Sequence, residues 1–346
     1  MQLNLTDNCP MKERKKDHIE LAFQSRTEKS EANLNFCYEP LLSAHPQGQL
    51  SPFEFAGKTM KLPIWISSMT GGTEKAGAIN RNLAKACRQF GLGMGLGSCR
   101  VLLEKPELID DFNIRSLLGN EQPLYANLGI SQLEKLIISN ELHKINKLVD
   151  RLQADGIIIH VNPLQEAFQP EGDRFNQPPI DTIEQFLNKT QLRVIVKEVG
   201  QGMGPESLER LLKLPLEAIE FGAFGGTNFA LLELHRQNEI FSDTMRPFTK
   251  VGHSALEMTG FANNFIHHGG IPACKQLIIS GGITSVLDGY HLVKSSPLPA
   301  VFGMGSMFLK YAYEGYTQLE TYIKHLQQGW LLADSYLKIN QMGTAE

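Results

Sequence analysis

Cysteine is scarce in this chain of 346 residues, and its placement argues against two common structural devices. The five cysteines are an odd number and none stands in a CxxC pair; they are Cys9, Cys37, Cys87, Cys99 and Cys274. Scattered cysteines of this kind favour reduced thiols over a disulfide framework, and they offer no ligand set for a structural zinc ion.

The chain also lacks a long apolar run and a strong charge of either sign. No segment approaches the roughly 18 apolar residues that a membrane-spanning helix needs. The amino-terminal segment MQLNLTDNCPMKERKKD is polar where a signal peptide has its apolar core, so we expect a cytoplasmic protein. A net charge of -4 gives no reason to expect nucleic acid or an anionic membrane as a partner.

What is present is a composition typical of a globular enzyme, with 42% hydrophobic and 20% charged residues. The length suits one large α/β unit, because barrels of that class routinely exceed ~200 residues. No internal repeat, low-complexity tract or linker marks a second domain. We therefore expect one domain over residues 1–346, with residues 1–55 as an amino-terminal extension.

From residue 60 onward, short apolar runs alternate with segments of helical pattern. Eight runs predict strands: Leu62–Ile66, Leu92–Leu96, Leu124–Leu128, Gly156–Val161, Arg193–Val199, Glu217–Phe221, Leu277–Ile279 and Ala300–Phe302. Eight strand–helix units in series predict an α/β fold, a closed (β/α)₈ or TIM barrel rather than an open sheet. The connection after the sixth strand is roughly 55 residues long, so it should hold structure of its own. A helix is expected there around residues 255–268.

The fourth run, within GIIIHVNPLQE, changes character at its carboxyl end. The apolar, β-branched Ile157–Ile159 is followed by His160, Asn162, Gln165 and Glu166. An apolar strand that ends in polar side chains is typical of an active-site strand in a parallel barrel. The alternatives are a helix-capping Asn162, a core His160 and a surface Glu166.

Other strand ends also carry polar groups. Ser98 and Arg100 follow the second strand, Asn127 ends the third, and Lys197 ends the fifth. A lysine at the end of such a run favours a functional role over a structural ion pair, because its neighbours face the core. The glycines at 91, 93, 95 and 97 are spaced G-x-G-x-G-x-G, which is not the G-x-G-x-x-G of a dinucleotide-binding loop.

Glycine-rich loops follow the first strand and the last three. The four segments are SSMTGGT (67–73), GAFGGTN (222–228), SGGI (280–283) and FGMGS (302–306). Glycine-rich backbone after the last two strands of a barrel, just before a helix, is the usual phosphate-binding arrangement. Together with the hydroxyls of Thr227 and Ser280, these loops indicate a phosphorylated cofactor.

A basic cluster opens the helix predicted over residues 14–25. Arg14 and His18 share a helix face, and Lys15 lies beside them. The cluster is either a solvated helix start or a clamp for a phosphate group. Its positive charges lie near the amino end of the helix, where they oppose the macrodipole, and this mild cost is a hint of function.

Eight motifs in series resemble those of the type 2 isopentenyl-diphosphate isomerases. They are RKKDH (14–18), MTGG (69–72), GSCR (97–100), HVNPLQE (160–166), VKEVGQG (196–202), GGTN (225–228), SGGI (280–283) and VFGMG (301–305). The resemblance runs from residue 12 to residue 335. The segment after SGGI, TSVLDGYHLVKSSPLP, lacks the Arg and the Ala-rich helix that are common there in the family.

The resemblance implies FMN, a divalent metal that is usually Mg²⁺, and a reductant such as NADPH that keeps the flavin reduced. The implied reaction converts isopentenyl diphosphate to dimethylallyl diphosphate with no net redox change. No side chain singled out above is a convincing acid for a proton shift on an unactivated alkene, so reduced FMN would exchange the protons itself. The family also implies a homo-oligomer, a tetramer or an octamer.

The resemblance further divides the residues between the flavin and the substrate. Lys197 would stabilise the anionic reduced flavin, Gln165 would face the alkene, and Glu166 would bind the Mg²⁺. The other flavin contacts implied are Ser68, Met69, Thr70, Gly71, Gly72, Ser98, Asn127, Thr227, Gly281, Gly282, Gly303 and Gly305. The implied diphosphate contacts are Arg14, Lys15, His18, Arg100, His160 and Asn162.

Three other classes of barrel fit the chain less well. Enzymes that oxidise 2-hydroxy acids would require a His followed by Gly-Gly-Arg after the sixth strand, where this chain has Phe224. Purine-nucleotide dehydrogenases need a nucleophilic Cys in the corresponding loop, and no Cys occurs between residues 99 and 274. A non-catalytic phosphate-binding barrel would not need Lys197, Gln165 and Glu166 together. An isomerase is therefore the expected function.

Overall fold

The structure is a computed structural model that describes residues 11–68 and 73–340. Four of the expected flavin contacts, Met69, Thr70, Gly71 and Gly72, lie outside the described residues. The side chain of Arg14 lies outside them as well.

Eight parallel strands close into a barrel in the part of the chain that the structure describes. Three short strands precede it: β1 (Phe36–Tyr38), β2 (Phe53–Phe55) and β3 (Lys58–Met60). The barrel strands are β4 (Ile64–Ile66), β5 (Gly93–Gly95), β6 (Leu124–Gly129), β7 (Gly156–His160), β8 (Val194–Lys197), β9 (Ala218–Glu220), β10 (Leu277–Ser280) and β11 (Ala300–Met304). Each of them coincides with one of the eight predicted runs, and β11 pairs with β4 to close the ring. The prediction of a (β/α)₈ barrel is confirmed.

Helices connect the strands. They are α1 (Met11–Ala22), α2 (Glu74–Phe90), α3 (Val101–Glu104), α4 (Arg115–Leu118), α5 (Ile130–Ile138), α6 (His143–Leu152), α7 (Pro163–Phe168), α8 (Pro179–Leu187), α9 (Pro205–Leu212), α10 (Phe229–Leu234), α11 (Glu239–Met245), α12 (Ala255–His267), α13 (Val286–Ser295), α14 (Ser306–Glu314) and α15 (Tyr316–Tyr336). A last strand, β12 (Leu337–Ile339), pairs antiparallel with β1. Among the described helices, none combines the length and the apolar character needed to cross a membrane.

The long connection between β9 and β10 contains more structure than the sequence predicted. The expected helix is α12, but two short helices, α10 and α11, precede it. Their starts are capped by Asn228 and Asn238, whose side chains accept hydrogen bonds from Leu231 N and Phe241 N. Helices this short depend on such caps and on tertiary packing, because a turn or two of helix is not stable alone.

The amino-terminal end of the barrel is filled with apolar side chains and closed by the β2–β3 hairpin. Trp65 and Tyr125 lie fully buried inside the barrel, and Phe55 and Met60 of the hairpin pack against the same cluster. The Tyr125 hydroxyl donates a hydrogen bond to Ala56 O at 3.0 Å. This end therefore leaves no room for a ligand, and the polar strand ends lie at the opposite, carboxyl end.

The cysteines in the described part of the chain are free thiols, as expected from their spacing. Cys87, Cys99 and Cys274 are buried. Burial raises the pKa of Cys99 and of Cys274 to about 12. These two therefore stay protonated near neutral pH and pack as small apolar groups.

Arg115 connects the starts of β6 and β7 to the neighbouring helices through hydrogen bonds. It is buried, and its guanidinium donates to Gln153 O at 2.7 Å, to Gly119 O at 3.0 Å and to Gln122 O at 3.1 Å. It also donates to Asp155 Oδ2 at 2.7 Å, an oxygen that accepts the backbone N–H of Leu124 as well. One side chain thus satisfies several backbone carbonyls and a carboxylate.

We predict that Arg115→Ala lowers the free energy of unfolding by about 3 to 5 kcal/mol. The change removes the donor of several buried carbonyls and the closer of two cations at Asp155, where only Lys58 at 3.4 Å would remain. Urea denaturation followed by circular dichroism measures this change. The matched control is Lys144→Ala, which removes an exposed ion pair to Glu141 and should cost at most about 1 kcal/mol. Equal losses in the two variants would contradict the role given to Arg115.

Candidate active site

A cavity opens at the carboxyl ends of the barrel strands. It contains about 910 Å³ of empty space, part of which is open solvent. The ends of β4, β8, β9, β10 and β11 line it. The expected flavin contacts in this lining are Ser68, Lys197, Thr227, Gly281, Gly282, Gly303 and Gly305. Ser98 and Asn127 are not part of it.

Two glycine-rich loops meet backbone to backbone on one side of the cavity. A Cβ on Gly226 would lie 3.1 Å from Gly282 N, and a Cβ on Gly281 would lie 2.1 Å from Ala223 O. Gly281 also has a φ of +94°, which side-chain-bearing residues rarely adopt. Bare backbone is thus exposed next to the start of α14, whose first residue, Ser306, also lines the cavity. Backbone N–H groups and a helix amino end in this arrangement suit a phosphate.

Lys197 lies in the same cavity with unused hydrogen-bonding capacity. It is 6% exposed, and its Nζ donates to Glu198 O at 2.9 Å. A lysine has three N–H donors, so others remain for a ligand. The buried hydroxyls of Ser67 and Ser68 have no hydrogen-bond partner among the described residues. A cation, free hydroxyls and bare glycine backbone in one cavity match the polar ring edge and the phosphate of FMN, so the residues present fit this group.

The loop that follows Lys197 is built around a buried carboxylate. Glu198 Oε2 accepts the backbone N–H groups of Gly200, Gln201 and Gly202 at 2.7, 2.6 and 2.9 Å. Burial raises the pKa of Glu198, and the three donors and Lys197 oppose that rise. Glu198 lies inside the VKEVGQG motif, but its role in shaping this loop was not predicted from the sequence.

His160 ends β7 beside Lys197, in register with it across the β7–β8 pair. Its Nδ1 lies 2.9 Å from Asn127 Oδ1, and the Asn127 amide group donates to Leu96 O at 3.0 Å. That second bond orients the amide, so Nδ1 carries the proton and Nε2 is an acceptor. Burial removes the imidazole ring from water and is the main reason that the pKa of His160 is lowered to about 3. The positive charges of Lys197 and Arg100 contribute to this lowering. Asn127, expected at the flavin ring, is thus engaged with His160.

Asn162 and Glu166 form a compact cluster with Gln165 at the start of α7. Asn162 Nδ2 donates to Gln165 Oε1 at 3.0 Å and to Glu166 Oε1 at 3.1 Å. Asn162 occupies the N-cap position, yet its side chain makes no capping bond. Glu166 is 5% exposed, and its Oε2 accepts the backbone N–H of Asp173 at 2.8 Å. The capping alternative for Asn162 and the surface alternative for Glu166 are therefore wrong.

A second carboxylate, missed in the sequence, orients Gln165. Gln165 Nε2 donates to Glu233 Oε1 at 3.3 Å, and Glu233 is buried on α10. Arg236 donates to Glu233 Oε2 and to Glu171, both at 2.6 Å. A signal was available: Glu233 shares the buried face of α10 with Ala230 and Leu234, and an acid on an apolar face needs a partner.

No group of three or more His, Cys, Asp or Glu side chains in the described residues is arranged to hold a metal ion. Glu166 would therefore be a single protein carboxylate. Mg²⁺ is commonly bound by one or two carboxylates together with substrate phosphate oxygens and water, so the site fits a metal that arrives with a diphosphate.

The structure leaves the expected amino-terminal clamp away from the cavity. Lys15 and His18 lie exposed on α1, and neither lines the cavity. Arg100, by contrast, is close enough to influence the pKa of His160 and of Asp173. Arg100 thus lies near His160 and Asp173, and its role in binding the diphosphate, like that of α1, stays a prediction.

Comparison with solved structures defines the class of fold. The flavin-binding domain of baker's yeast flavocytochrome b2 aligns over 86% of this chain and 71% of its own, with a TM-score of 0.57 and 12% identity. A mandelate oxidase mutant with an FMN adduct aligns over 88% of each chain, with a TM-score of 0.52 and 14% identity. The chain therefore has the (β/α)₈ barrel fold of these flavin-binding proteins, and at such identities the comparison shows the fold alone.

Comparison of sequences defines the family. The isopentenyl-diphosphate delta-isomerase of Rickettsia felis is 34% identical over 305 residues, which cover 87% of this chain and 85% of that protein. The enzyme of the same name from Ignicoccus hospitalis is 32% identical over 329 residues, 90% of this chain and 86% of its own length. No family model matches the chain. The chain belongs to the isopentenyl-diphosphate delta-isomerase family.

We predict that His160 makes the folded protein less stable as the pH falls from about 6.5 towards 3. The unfolded chain binds a proton at the ordinary histidine pKa of 6.5, while folded His160 binds one only at about 3. Over that window the slope should reach about 1.4 kcal/mol per pH unit for this one group. His160→Gln, which can still donate to Asn127, should make the acid limb of unfolding free energy against pH shallower by roughly this amount.

The matched control is His268→Gln at the exposed end of α12, which should keep the wild-type slope. An unchanged slope in His160→Gln would show that His160 is not held neutral in the folded protein.

Proposed function

We propose that this chain interconverts isopentenyl diphosphate and dimethylallyl diphosphate by a 1,3-proton shift, in isoprenoid biosynthesis, using FMN and Mg²⁺. One observation carries the proposal. The β7–β8 pairing puts His160 beside Lys197, and so joins the polar cluster of Asn162, Gln165 and Glu166 to the glycine-lined cavity. When bound and kept reduced by a donor such as NADPH, FMN would supply the acid and the base for the proton shift.

On the flavin side, Lys197 would donate to the polar edge of the ring and favour its anionic reduced form. Ser68, Ser98, Asn127 and the segment 69–72 would hold the ring. The phosphate would be held by Thr227, Gly281, Gly282, Gly303 and Gly305 through a hydroxyl and backbone N–H groups. The cavity lining and the bare glycine backbone support the roles of Ser68, Lys197, Thr227 and the glycines, whereas those of Ser98, Asn127 and the segment 69–72 rest on the family resemblance.

On the substrate side, Arg100, His160 and Asn162 would hold the diphosphate, together with Arg14, Lys15 and His18 of α1. Glu166 would bind the Mg²⁺ that neutralises the diphosphate. His160 is neutral with an acceptor at Nε2, so it can donate to a phosphate oxygen only after it takes up a proton. Entry of an anionic diphosphate favours that proton, because a nearby negative charge raises a histidine pKa.

Gln165 would lie against the alkene and either position it or assist the proton transfer. Its amide is held at both ends, by Asn162 Nδ2 at Oε1 and by Glu233 Oε1 at Nε2. The direction of its amide dipole is therefore fixed before substrate arrives. A dipole fixed in advance stabilises charge that develops in the transition state without having to reorient.

Three broader expectations belong to the same proposal. The chain would act as one FMN-binding domain with residues 1–55 as an extension, and as a homo-oligomer, a tetramer or an octamer. The site would take small diphosphates rather than nucleic acid or a membrane. Sedimentation of the purified protein checks the oligomer.

The isomerase assay tests the reaction itself. We predict that purified protein with FMN, Mg²⁺ and a catalytic amount of reductant converts either isomer to a mixture of both, followed by ¹H NMR. Because the reaction has no net redox change, NADPH should not be consumed in proportion to product. Consumption of one NADPH per product, or equal activity with oxidised flavin, would contradict the proposal.

We predict that Glu166→Gln raises the Mg²⁺ concentration needed for half-maximal activity by roughly 10- to 100-fold or abolishes turnover, since even residues around metal ligands have effects of this size. FMN binding, measured by flavin absorbance after gel filtration, should be unchanged. Glu184→Gln on α8 is the matched control, because Glu184 is exposed. Loss of FMN from Glu166→Gln would place Glu166 on the flavin side instead.

A further inference from the structure

Glu220 is a buried acid in the flavin cavity to which the proposed function gives no role. It ends β9, is 1% exposed and lines the cavity together with Lys197. Its Oε2 has no hydrogen-bond partner among the described residues. A buried carboxyl left without a full set of partners is costly in the ionised form, so its presence needs a reason.

The groups that face Glu220 come from three strands, of which β8 and β10 flank β9 in the barrel. Lys197 on β8 is its register partner and acts on it as a positive charge. The hydroxyls of Ser67, after β4, and Ser280, on β10, approach the same carboxyl. Burial raises the pKa of Glu220, while Lys197 and the two hydroxyls oppose that rise. Burial thus favours the neutral form of this carboxyl, and the cation in the same pocket favours its charged form.

This balance should change when a further negative charge enters beside Lys197. Two like charges in one buried site cannot both persist easily, and the usual outcome is that one acid takes up a proton. Lys197 is the cation that both Glu220 and an anionic ligand would share. Glu220 is therefore the group whose charge gives way, because it is fully buried and lacks a full set of donors.

We propose that Glu220 takes up one proton when reduction makes the bound flavin anionic, and thereby keeps the net charge of the Lys197 pocket constant. The inference rests on the FMN binding of the proposed function, but not on the isomerisation. The balance is two electrons and two protons. One proton joins the flavin with the two electrons to give its anionic reduced form, and the second converts the Glu220 carboxylate to the acid. A nicotinamide hydride donor or dithionite supplies the electrons.

The test is a potentiometric titration of the FMN-loaded protein with dithionite and redox dyes across neutral and mildly alkaline pH. In the wild type, uptake of two protons makes the equilibrium constant for reduction fall a hundredfold per pH unit, a change of about 60 mV in potential. In Glu220→Gln, one-proton uptake makes it fall only tenfold per pH unit, about 30 mV. The midpoint potential of the variant should also be higher, because a negative charge beside the flavin has been removed.

Glu217→Gln is the matched control. Glu217 precedes β9 at the opposite end of the barrel, is also buried, and pairs with Lys275 at 2.7 Å. This variant should keep the two-proton slope. A one-proton slope in the wild type, or the same slope in the wild type and Glu220→Gln, would overturn the proposal.

A measurement that does not need Glu220→Gln covers the case in which that variant does not fold. The infrared difference spectrum between reduced and oxidised protein should gain the carbonyl stretch of a protonated carboxylic acid, which Glu220→Asp should shift in frequency. Absence of this band overturns the proposal while leaving FMN binding intact. Failure of the protein to bind FMN at all would overturn the proposed function as well, and flavin absorbance distinguishes the two failures.

Discussion

The position of Lys197 in the strand register is the constraint on which the rest of the site depends. β8 pairs with β7 and β9 so that Lys197 lies opposite His160 on one side and Glu220 on the other. Burial is the largest influence on the pKa of both neighbours, lowering that of His160 and raising that of Glu220. The positive charge of Lys197 adds to the lowering at His160 and opposes the rise at Glu220. A slip of β8 by one residue would turn the lysine away from the cavity and change the charge state of both neighbours together.

Buried carboxylates in this barrel serve different ends according to their partners. Glu198 is surrounded by three backbone N–H groups and builds the loop after β8. Glu134 accepts the backbone N–H groups of Asn176 and Gln177 and so fixes the loop before α8. Both acids replace missing loop hydrogen bonds, which is a structural use. Among residues 11–68 and 73–340 no group donates to Glu220 Oε2, and the position of this oxygen in a ligand cavity sets Glu220 apart from the other two.

The sequence predicted the barrel because its strands are buried on both faces and appear as continuous apolar runs, as in Ile157–Ile159. It also predicted that Lys197 and the glycine loops converge, since carboxyl ends of parallel strands meet at one end of a barrel. It did not predict the roles of Glu220 and Glu233. Which side chain a buried acid meets depends on strand register and helix packing between segments far apart in the chain, as with Gln165 and Glu233. Local pattern carries no information on such pairs.

The two sides of the site differ in how they respond to pH. On the substrate side, Asn162 and Gln165 are neutral amides whose directions are fixed by their partners, and His160 is already neutral well below pH 6. These groups keep one charge state in the free protein across the neutral range. On the proposed flavin side, Lys197 and Glu220 line one buried pocket, in which the positive charge of Lys197 opposes the rise that burial causes in the pKa of Glu220. The residues proposed to bind substrate are therefore arranged for fixed geometry, and the proposed exchange of a proton with changing ligand charge falls to the residues at the ends of β8 and β9.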